Sequence, residues 1–353
     1  MSLPTSQKQW LIQGTGQGFD SLVYQDAPIP KLGADDVLVQ FQGASLNFRD
    51  LLIPQGKYIF PLQLPIVAGS DGAGTVLAVG SNVTEWAAGD RVLPLFNQGH
   101  QKGAIDTAAA GTGLGGCVDG TLRRYGVFGR TGVVRMPANL DFVEAATLGC
   151  AALTAWNAFY GLKKLAKGET VLVLGTGGVA LFGLQVSNVV FQFAKAAGAT
   201  VIATTSSAEK ADVLKKLGAD HVINYREDPN WGETARKLTP NGEGVDHIIE
   251  IGGEGTMTQS LNAIKMEGII SVIGVISGTP PKDNIIEALS RLCTVRGVYV
   301  GSRELFEEMV QAIEKHDLHP VLDEKRFTLE TAKEAYEYMW AQKHFGKIGI
   351  KIE

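Results

Sequence analysis

Apolar and polar positions follow two different rhythms along these 353 residues, and the change comes near residue 141. Before it, apolar residues fall in short, roughly alternating runs separated by Gly, Pro, Asn and Asp, the period of half-buried strands joined by turns. Residues 36–41 read as one such strand. Residues 67–80 read as another, in which Gly69, Gly72, Gly74 and Gly80 predict bulges or close backbone approach. Residues 88–94 are a turn leading into a strand, and residues 46–57 a short helix entered near Asn47. Residues 98–116 are rich in Gly, Ala and Thr without periodicity, which predicts a loop.

From Asp141 onward the period lengthens. Asp141, with Glu144 three positions on, reads as a helix N-cap, and the apolar helical run lasts to about Tyr160. Strands near 171–174, 200–204, 245–251, 268–275 and 294–299 then alternate with helices, the signature of a parallel, doubly wound sheet. After Gly301 come a helix (303–315), a short extended piece (326–328), a second helix (330–342) and a closing strand (347–352).

The sharpest chemical signal sits at the first strand of that alternating region. The apolar run 171–174 meets Gly175, Thr176, Gly177, Gly178, Val179 and Ala180, giving the spacing Gly175-x-Gly177-x-x-Ala180. This is the dinucleotide fingerprint with a small third residue. The first Gly allows a tight turn, the second admits a pyrophosphate close to the backbone, and the third position lets helix and strand pack. The helix that follows offers free N–H groups and a positive dipole end to phosphates. The expected fold class is therefore α/β: a Rossmann doubly wound parallel sheet (151–301) inserted between the two parts, 1–150 and 302–353, of a β-rich domain.

Composition narrows the classes without choosing among enzymes. At 45% hydrophobic and 20% charged residues the chain has the make-up of an ordinary globular enzyme, long enough for about two domains. A net charge of −5 argues against a nucleic-acid or membrane-surface partner. There is no apolar run long enough for a transmembrane helix, and no basic-then-apolar leader at the N-terminus. Cys117, Cys150 and Cys293 are unclustered and in no metal-ligand spacing, so a reducing, cytoplasmic compartment is expected.

Five further stretches carry a resemblance: residues 43–50 (GASLNFRD), 68–74 (AGSDGAG), 89–92 (GDRV), 145–156 (AATLGCAALTAW) and 344–348 (HFGKI). Together with the glycine turn they make the chain similar to the medium-chain dehydrogenase/reductase superfamily over essentially its whole length. The resemblance implies a GroES-like catalytic domain, a Rossmann cofactor domain, and hydride transfer from a nicotinamide in the cleft between them. It also exposes departures from the zinc alcohol dehydrogenases. Those enzymes place a Cys in the segment matching residues 45–50 and a His-Glu pair at Ser70 and Asp71, and only Cys150 falls on a ligand position here. A catalytic zinc needs three ligands from Cys, His or carboxylate. Asp50, Asp71 and Cys150 form a conceivable set, against the simpler reading of Cys150 as a small buried apolar residue. The four-cysteine structural zinc lobe is replaced by the loop 98–116. The chain thus resembles the zinc-free quinone and enoyl reductase branch, with no metal expected.

Without a metal, reduction of an α,β-unsaturated carbonyl needs a hydrogen-bond donor at the developing enolate oxygen and a proton at the α-carbon. Tyr58 sits where zinc-free relatives place a cleft tyrosine and is the candidate donor; the plain alternative is a packed loop residue. Asn47 matches the residue that orients the nicotinamide carboxamide or ribose, or else it is a helix cap. Thr154 matches a nicotinamide-facing helix position, or is a β-branched core residue. Arg49 and Asp50 are read as pairing with each other or the scaffold. Lys347 either adds charge near the cofactor or closes the last strand.

For the cofactor, NAD-selective domains carry Asp or Glu at the end of the second strand to bond the ribose 2′-OH. That end here includes Ser206 and Ser207, has no carboxylate, and is followed by Lys210, which suits a 2′-phosphate. Tyr225 matches a residue flanking that phosphate in relatives. A helix cap and a solvated lysine are the alternative for Ser206, Ser207 and Lys210. NADP(H) is the expected cofactor, and a small apolar carbonyl or quinone the expected substrate. Tyr58, Phe60, Val298, Tyr299 and Val300 are candidate pocket residues. Relatives pair as homodimers across the Rossmann sheet edge, which the apolar segment 294–300 suits. An alcohol dehydrogenase with an atypical zinc site and a non-catalytic NADPH-binding protein are the competing classes. One spacing is unusual: Gly177 and Thr204 are 27 positions apart, against about twenty expected. The surplus of about seven residues near 186–192 predicts a lengthened helix or a bulge at Ser187 and Asn188.

Overall fold

The computed structural model describes residues 3–174, 181–274 and 285–353. The chain divides into two compact units, Met1–Leu153 with Val300–Glu353, and Thr154–Tyr299. Among the described residues the first stretch carries β1 (Ser6–Ile12), β2 (Leu22–Pro28), β3 (Asp36–Ser45), β4 (Ile66–Val67), β5 (Asp71–Val79), β6 (Arg91–Pro94), β7 (Tyr125–Gly129) and β8 (Val133–Arg135). The second unit carries β9 (Thr170–Val173), β10 (Thr200–Thr205), β11 (His221–Asn224), β12 (Val245–Glu250), β13 (Ile264–Val272) and β14 (Thr294–Gly297). The chain then returns to the first unit with β15 (Phe327–Thr328) and β16 (Gly349–Lys351).

In the first unit a largely antiparallel sheet runs β15-β16-β3-β5-β6-β8, with β7 also on β3, beside a small β2-β1-β4 sheet. β3 is its axis. Ser45 at its end lies opposite Gly349 on one side and Asp71 on the other, which brings the starts of β5 and β16 together. The expected glycine-rich strand is two strands, β4 and β5, separated at Ala68–Ser70, where Gly69 takes a φ of +83°. The expected close approach is present: the β3–β5 register shifts between Phe41 and Gly43, and a Cβ on Gly74 would run into the Gln40 carbonyl. The core of this unit includes Trp10, Phe41, Leu46, Phe128, Tyr336 and Ile350.

In the second unit six parallel strands lie in the order β11-β10-β9-β12-β13-β14. This is the doubly wound dinucleotide-binding order, with its direction of winding reversing between β9 and β12. β9 is buried at all four positions, the unbroken apolar pattern of a central parallel strand covered on both faces. Its core includes Leu172, Ile202, Trp231, Ile248 and Ile270. The helix Leu181–Ala196 runs without a break through residues 186–192, so the surplus lies within continuous helix and the bulge at Ser187 and Asn188 is not formed. β11 is a strand that the apolar pattern alone did not announce; its outer position is exposed at His221.

The run from Asp141 to Tyr160 is not one helix. Asp141 caps Phe142–Ala146, accepting from the Val143 and Glu144 N–H groups while the Glu144 carboxylate accepts from the Asp141 N–H. That helix ends at Thr147, whose hydroxyl donates to the Glu144 carbonyl at 2.7 Å and occupies an acceptor of the last turn. A single wide π-type turn, Leu148–Ala152, follows before the helix Leu153–Tyr160. No helix among the described residues is long and apolar enough to cross a membrane.

Candidate active site

Two residue groups hold the polar chemistry, one in each unit. In the first unit the paired ends of β3, β5 and β16 collect Ser45, Asn47, Asp71 and Lys347, all buried. Lys347 Nζ donates to the Leu46 carbonyl at 2.9 Å, to Asn47 Oδ1 at 2.6 Å and to Asp71 Oδ2 at 3.1 Å. An ammonium has three N–H donors, and all three are satisfied. Ser45 Oγ donates to the same Asp71 oxygen at 2.7 Å. The Asn47 amide nitrogen stands 3.4 Å from Ser70 Oγ. The π-type turn brings Cys150 and Gly149 to this cluster, and a Cβ on Gly149 would already meet Asp71 Oδ1 at 3.1 Å. Burial first, then the Asp71 charge, push the Cys150 thiol up to about 12.

The same cluster continues outward. Asn47 N–H donates to Asp50 Oδ2 at 2.7 Å at the start of the helix Phe48–Leu52. Asp50 faces Arg49 at 3.7 Å, and Arg49 Nε donates to the Tyr58 hydroxyl oxygen at 3.0 Å. Arg49 lies between two rings, 4.8 Å from the centroids of Tyr58 and of Phe96, and its Nη1 donates to the Leu114 carbonyl. Burial raises the Asp50 carboxyl to about 6, with the Arg49 charge opposing. Asn47 and Tyr58 are therefore joined through Arg49 and Asp50, the two residues that sequence reasoning set aside. Phe60 is exposed, its ring 5.5 Å from that of Tyr58. The connection through Arg49 and Lys347 had no signal in spacing, because it depends on which strands end beside each other.

In the second unit the candidates gather at the C-terminal ends of parallel strands. β10 ends at Thr205, and Tyr225 N–H donates to the Thr205 carbonyl at 3.0 Å, so Ser206, Ser207 and Tyr225 share one edge of the sheet. Ser207 caps the helix Ala208–Lys216, its Oγ accepting from Lys210 N–H at 3.4 Å. Tyr225 packs against the core of the unit. Thr154 is buried near the start of the helix Leu153–Tyr160. Gly175, Thr176, Gly177, Gly178 and Val179, placed by the sequence just beyond β9, lie outside the described residues. Glu250, at the end of β12, was not foreseen. It is a buried carboxylate accepting from Gly252 and Gly253 N–H and from the Thr256 and Ser260 hydroxyls, which anchors the helix Glu254–Ala263.

Two prosthetic groups can be tested against these residues. Zinc requires three ligands drawn from thiolate, imidazole and carboxylate. The cluster offers hydroxyls at Ser45 and Ser70, a single thiol at Cys150, and a carboxylate already bonded to an ammonium, so the donor set does not fit the metal. Among the described residues no group of three or more His, Cys, Asp and Glu could hold one. A nicotinamide dinucleotide does fit: the strand order, the reversal beside β9 and the hydroxyl-lined end of β10 are the places where such a cofactor lies.

Fold and site define a nicotinamide-dependent oxidoreductase built on a doubly wound sheet and a GroES-like domain. Residues 33–138 match the family model of the alcohol dehydrogenase GroES-like domain, and residues 186–315 that of the zinc-binding dehydrogenase. A zinc-type alcohol dehydrogenase-like protein of Schizosaccharomyces pombe is 45% identical over 98% of this chain and 99% of its own. The crystal structure of a putative alcohol dehydrogenase from Sinorhizobium meliloti 1021 superposes with a TM-score of 0.87 at 38% identity, covering 99% of this chain and 100% of that one. A quinone oxidoreductase-like protein 2 homolog of Nematostella vectensis is 28% identical over 99% of this chain and 91% of its own. The chain belongs to the medium-chain dehydrogenase/reductase superfamily.

Proposed function

We propose that this protein is a zinc-free, NADPH-dependent reductase that transfers hydride to an activated C=C bond or a quinone. The observation that carries the reading is Lys347. Where zinc relatives have a Cys in the segment matching residues 45–50 and a His matching Ser70, this chain has neither, and the Lys347 ammonium is already bonded to Asp71 and Asn47. Ser206, Ser207, Lys210 and Tyr225 are the residues for the adenosine end, with Lys210 supplying positive charge to a 2′-phosphate and no carboxylate at the end of β10 to repel it. The glycine turn is assigned to the pyrophosphate, and Thr154 and Asn47 to the nicotinamide.

When bound, NADPH supplies the hydride. As it reaches the β-carbon of an enone, charge builds on the carbonyl oxygen. The Tyr58 hydroxyl, held by Arg49 Nε at 3.0 Å, is the donor assigned to that oxygen. A solvent proton completes the reduction at the α-carbon. Exposed Ile59 and Phe60 beside Tyr58 favour an apolar substrate. The protein is further read as a homodimer through the β14 end of this sheet, with exposed Val295 on β14 and exposed Ile286, Leu289 and Leu292 just before it in the chain.

Fluorescence titration of metal-analysed protein with NADPH and NADH, followed by enones and quinones, tests this. Tight NADPH binding without zinc and with acceptor-dependent oxidation is expected. Stoichiometric zinc with NAD-linked alcohol oxidation overturns both the metal and the cofactor assignments. Cofactor binding with no turnover of any acceptor favours a non-catalytic binding protein.

A further inference from the structure

We infer that Lys347 is a positioning residue for the reaction: its ammonium fixes the Asn47 side chain as a hydrogen-bond donor toward the bound reactants. The inference rests on the proposed role of Asn47 at the nicotinamide and adds what sets that role.

An asparagine side chain can present either a carbonyl oxygen or an NH2 group, and turning it about its last bond exchanges them. In water the two orientations cost nearly the same. Here the choice is forced. Lys347 Nζ stands 2.6 Å from Asn47 Oδ1, and an ammonium only donates, so oxygen must face it. The amide NH2 is therefore turned away from the lysine, toward Ser70 Oγ at 3.4 Å. That long contact leaves the NH2 group donor capacity for an acceptor on cofactor or substrate. Turning the amide over would set NH2 against an ammonium and leave a buried N–H unsatisfied, which burial makes expensive.

The lysine is itself held on every side. Its other two protons go to the Leu46 carbonyl and to Asp71, and Asp71 takes a further hydrogen bond from Ser45. Lys347 and Asp71 cancel as charges, so the cluster can be buried with the ammonium in place. The Asn47 backbone is pinned separately by Asp50. Both ends of the residue are thereby fixed before any reactant arrives, which is the preorganisation that positioned hydrogen-bond donors require.

A double-mutant cycle separates this from a purely structural part. Lys347→Met leaves Asp71 buried without its cation, so it is combined with Asp71→Asn to keep the cluster neutral. Turnover with NADPH and 2-cyclohexenone or menadione is measured in the presence and absence of Asn47→Ala. Asn47→Ala and the Lys347→Met/Asp71→Asn pair should each lower kcat by at least about tenfold. Combined, they should turn over no more slowly than Asn47→Ala alone, because the lysine acts through the amide. Multiplying losses would overturn the inference while leaving Asn47 in its role. An unchanged kcat in Asn47→Ala would instead remove Asn47 itself, and the inference with it. A readout independent of turnover is the 15N side-chain amide signal of Asn47 in the cofactor-free protein. It should shift and broaden in the lysine variant, and an unmoved signal overturns the inference.

Discussion

Tyr58 shows how much one hydrogen bond can assign. Arg49 donates to its oxygen and lies against its ring, which fixes where the phenol stands. Tyr58→Phe should lower kcat by about 10²-fold with NADPH affinity changed by less than about twofold, as expected for loss of a proton donor. Steady-state kinetics with an enone alongside cofactor titration decide it, and unchanged turnover removes the role. His344 offers a second test. Neither of its ring nitrogens has a hydrogen-bond partner among the described residues, and burial, opposed by Asp323 and reinforced by Lys347, lowers its pKa from 6.5 to about 4. A folded pKa below the unfolded one means that the unfolded chain takes up the proton first. His344 therefore withdraws stability as pH falls from about 6.5 to 4. Asp50, raised from 3.8 to about 6, acts in the opposite direction over the same range, adding stability on acidification. The histidine is isolated by comparing urea unfolding of the wild type and His344→Gln at pH 7 and pH 5. The variant should lose less stability on acidification, and equal losses would show that the ring titrates normally.

Among the elements, β5 and the helix after β10 answer different questions. β5 runs so close to β3 that Gly74 has no room for a side chain: a Cβ would meet the Gln40 carbonyl and the Val39 side chain. Gly74→Ala should destabilise the protein by about 2 kcal/mol or more through a forced backbone shift, read as a lowered urea midpoint with an unchanged slope. Asp71 begins the same strand, so the variant should also reduce turnover. The helix Ala208–Lys216 carries Ser207 as its cap and Lys210 in its first turn. Lys210→Ala leaves the cap in place and should weaken NADPH at least about tenfold, from loss of one charge-assisted contact to phosphate, while NADH changes little. Equal weakening of both cofactors would make Lys210 a scaffold residue.

At the scale of the whole molecule, the six-stranded sheet ends among the described residues at β14, which carries exposed Val295, and the preceding helix Ile285–Arg291 exposes Ile286 and Leu289. Sheet ends of this kind invite pairing with a second copy. Leu289→Glu with Val295→Lys should convert a dimer into a monomer in light scattering at micromolar protein. An unaltered mass would place any interface elsewhere. Occupancy of the cofactor site should be visible globally too. Saturating NADPH at about 100 times its dissociation constant adds about 2.7 kcal/mol of stability, and NADH should add much less at the same concentration.

The sequence by itself determined the class of fold, because that information is local. Alternating strands and helices, the glycine turn and the capping pair Asp141 and Glu144 each depend on residues within a few positions of one another. It also showed directly that residues 45–50 hold no Cys and that Ser70 stands where the zinc enzymes have His. What it could not give was anything set by strand register. Thr147 cut a helix that periodicity ran to Tyr160 through one side-chain bond to the preceding turn. The pairing of Ser45 with both Gly349 and Asp71 carried Lys347 from the far end of the chain to Asn47, a neighbour in space but 300 positions away. Tertiary structure alone made that contact, because only the buried sheet fixes which strand ends lie side by side.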